Sequence, residues 1–463
     1  MTDATIAAPQ KLKFWDTALY TLAVGTGIRW IAVAAAVGPS SLPMWLLALI
    51  TFFIPLSVAT VELTTRFEDG GGIYSWARGT LGPFAGFICG WFYWTNLLPY
   101  FAGILYFLSG LLLAAFGGDP KDTLLYMGIS VGFTLLVTAV QIAGLKYGKW
   151  VPNIGMACGW AVLGLIVLVG IVIAGRGQSA TDFLHSSYVP VFNFDTAILW
   201  GTIVFAYCGV EGVAFLRNEI EGGMRTVVRV LGIAGISGAL IYILGTAAFL
   251  VILPSSELSR LAGFTDALRV GLSHVGIGAF APVVILLFAL SMLGGFAANF
   301  LMGTRILFAA GIDDYLPAAF ARRNPRTGAP VYAIVLQSVL TLVMVFLSQA
   351  GSSVAGAYDF MVAMGVLTIV IPYVFMFIGH LKTQRLPPIP GAWAPPGGKR
   401  MSIFLGWMGL VSTLIAIVCT LIPNSSEQHP LTAFLKIFLS AIAMFVIGAG
   451  LYWLAARRRK AAA

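Results

Sequence analysis

Hydrophobic positions in this chain neither alternate nor recur on a single helical stripe; they come in long blocks cut by short polar runs. Twelve blocks can be marked, at 16–37, 42–65, 84–116, 124–143, 150–174, 195–216, 227–253, 280–303, 331–347, 354–380, 402–422 and 433–455. Each is near or above the ~20 apolar residues that carry a helix across a bilayer, so the pattern predicts an all-α protein of twelve transmembrane helices. Two blocks are broken near the middle. The first reads "GTGIRW" at 25–30, and the sixth reads "YCGVEG" at 207–212, with Gly209 and Gly212 bracketing Val210 and Glu211. Glycines can serve close helix packing, but two breaks five helices apart are what an inverted repeat of helices 1–5 onto 6–10 produces. The expected organisation is a single membrane domain with one repeat at 16–174, a second at 195–380 and appended helices at 402–456, between tails at 1–15 and 457–463. Unwound backbone cannot face lipid, where each unpaired N–H or C=O costs several kcal/mol, so the breaks are expected to line a cavity or lie buried in protein.

Composition fixes the class: 59% of residues are hydrophobic, 10% are charged, and the mean hydropathy is +0.93. The net charge of +9 raises the question of nucleic acid, and the placement of the basic residues answers against it. Most of the 27 lysines and arginines fall on alternate loops and the two tails, among them Arg66, Arg78, Arg217, Arg225, Arg229, Arg322, Arg323, Arg457 and Arg458. That is the positive-inside pattern, predicting both termini on the cytoplasmic side of the cell (inner) membrane. The first block lacks a small-residue cleavage site and reads as a retained span. Cys89, Cys158, Cys208 and Cys419 lie within apolar segments without metal or redox spacing and read as small packing residues. His185, His274, His380 and His429 are scattered, so no metal is expected, and no cofactor is called for. No GxxxxGK[ST] occurs, which argues against ATP hydrolysis. A membrane enzyme would need a nucleophile, base or metal cluster at depth, and none is visible; a channel would need a continuous polar lining, which the blocks do not supply.

Three stretches carry a resemblance. "VELTTRFEDGGGIYSWARGTLGPFAGFICGWFYW", "FAYCGVEG" followed by "NEIEGGMRTVVRV", and "GTRILFAAGIDDYLPAAFARRNPRTGAPVYA" together resemble the amino acid–polyamine–organocation (APC) superfamily, over most of residues 16–380. The resemblance implies the five-plus-five inverted-repeat fold shared with sodium-coupled amine transporters (the LeuT-like fold) and an amino acid permease activity. It places the substrate cleft on Gly25, Thr26 and Gly27, on Asn96 and Leu97 in the third helix, on Tyr207, Cys208, Gly209 and Glu211 in the sixth, on Phe296 in the eighth and on Thr368 in the tenth.

A zwitterion needs donors for its carboxylate and acceptors for its ammonium. A broken helix supplies both, as unpaired N–H groups at the start of the outer half, near Ile28, and carbonyls at the helix ends. Arg29 departs from the family pattern: it stands at the positive end of a half-helix and nine residues, about 13 Å, from Gly38, too deep to snorkel. It must find an anion. One expectation is a fixed ion pair, with Glu211 the favoured partner and Glu62 in the second helix the other; the alternative is an acidic group of the substrate, or a surrogate for a coupling cation. Proton-coupled family members carry a lysine in the fifth helix, where this chain has Cys158 and Gly159, so the charge at Arg29 can be read as compensating. Arg29, Glu62 and Glu211 are thus the coupling or gating candidates. The function expected is secondary transport, by symport or exchange, of a neutral or acidic amino acid. Its partners are that small molecule, a proton or counter-substrate, and the lipid bilayer. The alternative is a polyamine or cationic amino acid carrier using Glu211 and Glu62 as its acids.

Overall fold

The computed structural model describes residues 13–67, 71–119, 121–143, 150–191, 194–309, 324, 329–349, 353–422 and 430–462. Much of the third resembling stretch, with Asp313 and Asp314, lies outside these. Among the described residues the chain is helical with no strand. Eleven helices are long and apolar enough to cross a membrane by length and composition. The chain is a multi-pass membrane protein, and its helices pair their own peptide groups by i→i−4 hydrogen bonds, one of the two ways, with a closed barrel, to satisfy the backbone where no water is present.

The first expected span is absent from those eleven because it is cut in two. Helix α1 (Phe14–Gly25) ends at Thr26, whose backbone turns extended (φ −128°, ψ 106°), and α2 (Trp30–Ala35) begins after two turn residues. Next come the span α3 (Ser41–Arg66), the short buried helix α4 (Gly72–Leu81) and the span α5 (Pro83–Phe116). They are followed by α6 (Thr123–Ile142) and α7 (Trp150–Gly175). The sixth span starts as α8 (Phe194–Ala206), loses regular helix at Tyr207–Gly209, and continues as a tight 3-10 run, Val210–Glu219. Gly209 has φ +100°, a conformation open to glycine and costly for other residues. Then come α9 (Gly223–Ile252), the short α10 (Gly263–His274), α11 (Ala281–Ala309), α12 (Val331–Gln349), α13 (Val354–Thr383), α14 (Gly398–Thr420) and α15 (Pro430–Ala462). The connection between α9 and α11 holds the short helix α10, and residues 176–191 form turns.

Burial separates centre from rim. The sixth span is 89% buried and α5 is 78% buried over their apolar windows, against 22% for α6 and 17% for α15. Rim helices show leucine, isoleucine and valine outward, as at Leu135, Leu136, Ile236 and Leu240, which is the face a bilayer demands. At the centre, α7 and α11 touch backbone to backbone: a Cβ on Gly155 would stand 2.7 Å from Gly294 Cα. Close approach of this kind replaces the hydrophobic effect, which is absent between helices in lipid. The broken spans therefore sit inside a wall of intact ones.

Candidate functional site

The two breaks lie against each other. A Cβ on Gly25 would stand 2.7 Å from Val210 Cγ1, so a side chain at that point would push the first span off the sixth. One hydroxyl ties them together: Tyr242 Oη in α9 accepts from the Gly27 N–H at 3.0 Å and donates to the Ala206 carbonyl at 2.7 Å. Tyr242 is held by the Trp45 ring, stacked at 4.2 Å and 9°, while the Trp45 carbonyl accepts from Tyr207 Oη at 3.2 Å. One N–H and one C=O freed by the breaks are thus satisfied within the protein. The next N–H groups, of Ile28 and Arg29, have no hydrogen-bond partner among the described residues; they open the positive end of α2.

Glu211 follows the second break and is 1% exposed. Its carboxylate is filled: Tyr93 Oη and Tyr373 Oη each donate to Oε1 at 2.8 Å, and the Gly209 N–H donates to Oε2 at 3.0 Å. Donors from α5, α13 and the break itself converge on one acid. The expected pairing of Glu211 with Arg29 is therefore corrected: its three donors are two phenols and a backbone N–H, and among the described residues no ion pair joins it to Arg29. The second candidate partner is corrected too. Glu62 lies in α3 away from the breaks, accepting from Ser402 Oγ at 2.7 Å and Gln384 Nε2 at 2.6 Å, with His380 Nε2 at 2.9 Å. It braces α3 against α13 and α14.

Arg29 is 4% exposed, and no carboxylate among the described residues lies within ion-pair distance of it. Its guanidinium carbon sits 4.1 Å from the Trp30 ring centroid and 5.0 Å from that of Tyr100, and Nη1 is buried without a hydrogen-bond partner among the described residues. Magnitudes decide what this means. Cation–π contacts are worth about 0.5–2 kcal/mol each, whereas an unpaired buried ion costs several kcal/mol even after relaxation. The two rings do not offset that cost. The crevice into which Arg29 points is lined by Pro99, Tyr100, Gly103, Phe205, Met361 and Gly365, from α5, α8 and α13, and is too narrow to admit a water molecule.

The direction of Arg29 also tells against compensation for a missing lysine in α7. A Cβ on Gly159 would meet Ile28 Cδ1 at 3.3 Å; Ile28 faces α7, and Arg29 faces α5 and α13. The remaining expected residues divide. Gly25, Thr26, Gly27, Arg29, Tyr207, Gly209 and Glu211 come together at the breaks, with Cys208, whose Sγ donates to the Val204 carbonyl at 3.3 Å. Asn96 is one turn beyond Tyr93 on α5, its amide donating to the Tyr93 carbonyl at 3.5 Å and its Oδ1 buried without a partner among the described residues. Leu97 packs on α11 at Gly303. Phe296 is enclosed by Phe101 and Phe300, at 5.3 and 5.6 Å, and the Thr368 hydroxyl donates to the Met364 carbonyl of its own helix at 2.6 Å.

Sequence reasoning missed the tyrosines. Tyr93, Tyr242 and Tyr373 stand in the middle of apolar blocks, not at their ends, and a phenol at that depth must find a partner for its hydroxyl; that was the available signal. The family model described as Amino acid permease matches residues 12–449. An uncharacterized transporter of Legionella pneumophila is 25% identical over 86% of this chain and 86% of its own length. A probable agmatine/putrescine antiporter of Lactococcus lactis is 22% identical over 95% of this chain and 94% of its own. A glutamate/gamma-aminobutyrate antiporter of Lactococcus lactis is 23% identical over 87% and 83%. With adjoining breaks in two central spans and a match over nearly its full length, the chain belongs to the amino acid permease family of the APC superfamily.

Proposed function

We infer that the chain is a secondary transporter that moves a neutral or acidic amino acid across the cell membrane by alternating access, exchanging it for a counter-substrate. The observation that carries this reading is the pair of abutting breaks, at which the N–H groups of Ile28 and Arg29 stand unpaired at a helix start. A substrate carboxylate is the natural acceptor there. The substrate ammonium takes carbonyls at the Tyr207–Gly209 turn. Thr26, Gly27 and Asn96 border this place, and Glu211 holds the turn in shape. Residues 16–174 and 195–380 act as the two moving halves, both termini are cytoplasmic, and the chain acts as a carrier without catalysis. Exchange is supported by the antiporter names of two relatives. The crevice beside the breaks is closed in this conformation, so loading requires α13 to move away from α5.

A cationic substrate is the second reading, supported by the agmatine/putrescine relative. Against it, both acids it would need are engaged by protein donors, and Arg29 repels an added positive charge. The test is uptake into proteoliposomes from a panel of labelled amino acids and diamines, with and without unlabelled internal substrate and a proton gradient. The reading predicts amino acid uptake that rises several-fold with internal amino acid. Uptake of diamines alone, or of nothing, overturns it.

A further inference from the structure

We propose that the Arg29 crevice is a subsite for a second anionic group on the substrate, so that the chain prefers dicarboxylic amino acids over their amides. The proposal rests on the transporter reading above and names its substrate class. Two buried donors point to it. Arg29 Nη1 has no partner among the described residues, and neither has the hydroxyl of Tyr358, which is 1% exposed. Tyr358 precedes Met361 and Gly365 by three and seven residues on α13, so it shares their crevice-facing side. Its ring lies against Phe107 of α5, 6.3 Å between centroids, between the same two helices, α5 and α13, that Arg29 faces at Gly103 and Met361.

A guanidinium and a phenol are both donors, and together they satisfy a carboxylate, which is acceptor-only when ionised. They serve an amide less well: its carbonyl oxygen accepts, but its NH2 finds no acceptor there and the guanidinium keeps its charge uncompensated. The walls are otherwise apolar or ring faces, from Pro99, Phe205 and Met361, so no protein group competes for the anion. The location fits the backbone donors: the N–H of Arg29 opens α2 while its side chain turns toward α5 and α13. One residue then contributes a main-chain donor to the α-carboxylate and a side-chain donor to the distal one. A neutral amino acid would leave the guanidinium as it stands in this structure, without an anion.

The experiment is exchange in proteoliposomes with labelled L-glutamate, L-aspartate, L-glutamine and L-asparagine, for the wild type, Arg29→Gln, Arg29→Lys and Tyr358→Phe. The wild type is expected to favour each acid over its amide by roughly 10- to 100-fold, the worth of a charge-assisted bidentate contact. Arg29→Gln is expected to remove that preference, Arg29→Lys to reduce it because an ammonium lacks the planar fork, and Tyr358→Phe to lower it a few-fold. Equal loss for acid and amide in Arg29→Gln would put the guanidinium on the α-carboxylate or in a purely structural role, and would overturn the proposal. Wild-type uptake of the amides in preference to the acids overturns it while leaving the transporter reading intact; uptake of no amino acid overturns both. Chloride would meet the same donors, so the assay is repeated in gluconate: an unchanged acid preference supports a substrate carboxylate, and a preference that vanishes with chloride contradicts it. If Arg29→Gln does not fold, the acid-to-amide ratio of Arg29→Lys decides on the same terms.

Discussion

Glu211 and Arg29 occupy comparable places, each within a few residues of a helix break, each buried, each charged as an isolated side chain. Their surroundings are opposite. The carboxylate collects two phenols and a backbone N–H; the guanidinium has two ring faces and an orphaned nitrogen. A buried charge held by three protein donors is part of the scaffold, since removing it strands its partners. A buried charge with donors to spare costs stability as it stands and is explained by what it binds. The breaks thus contain one acid that shapes the site and one base that the site leaves open.

This contrast can be broken by substitution. The largest effect is expected for Glu211→Ala, which strands the hydroxyls of Tyr93 and Tyr373 at roughly 1–3 kcal/mol each; the purified protein should melt at a clearly lower temperature and transport every substrate poorly. Tyr242→Phe comes next. It leaves the Gly27 N–H and the Ala206 carbonyl without their shared partner, a loss of about 1–3 kcal/mol, seen as a lower melting temperature and faster hydrogen exchange at the break. Glu62→Gln, at the brace between α3, α13 and α14, should cost about 1 kcal/mol with no change in substrate preference; a changed preference would return Glu62 to the site. Arg29→Met is expected to have the smallest effect on stability, or one of opposite sign, with a melting temperature equal to or above the wild type.

The same contrast explains what could be read from the chain alone. Both breaks were legible, because glycine pairs inside apolar blocks are a local signal and unwound backbone in lipid is costly wherever it occurs. The burial of Arg29, 4% exposed, was legible too, from counting residues to the end of its span. Its partner was not. Tyr93 and Tyr373 lie 118 and 162 residues from Glu211, and no local pattern says that two phenols from other helices will fill a carboxylate before an arginine reaches it. Residues carried over by resemblance fared unevenly for a similar reason: Leu97, Phe296 and Thr368 sit on the expected helices, but a rotation of a few tens of degrees decides whether a side chain meets the crevice or a neighbouring helix. Tyr358, the second orphaned donor, sits on the same helix as Thr368 but ten residues before it, nearly three turns from the position that the resemblance highlighted.

The most direct test is the melting temperature of the purified wild type and Arg29→Met, each alone and with saturating L-glutamate or L-glutamine. The account predicts that Arg29→Met alone melts no lower than the wild type, and that glutamate raises the wild-type melting temperature more than glutamine does while favouring neither ligand in the variant. An Arg29→Met protein that melts well below the wild type, yet responds to the two ligands just as the wild type does, would contradict it.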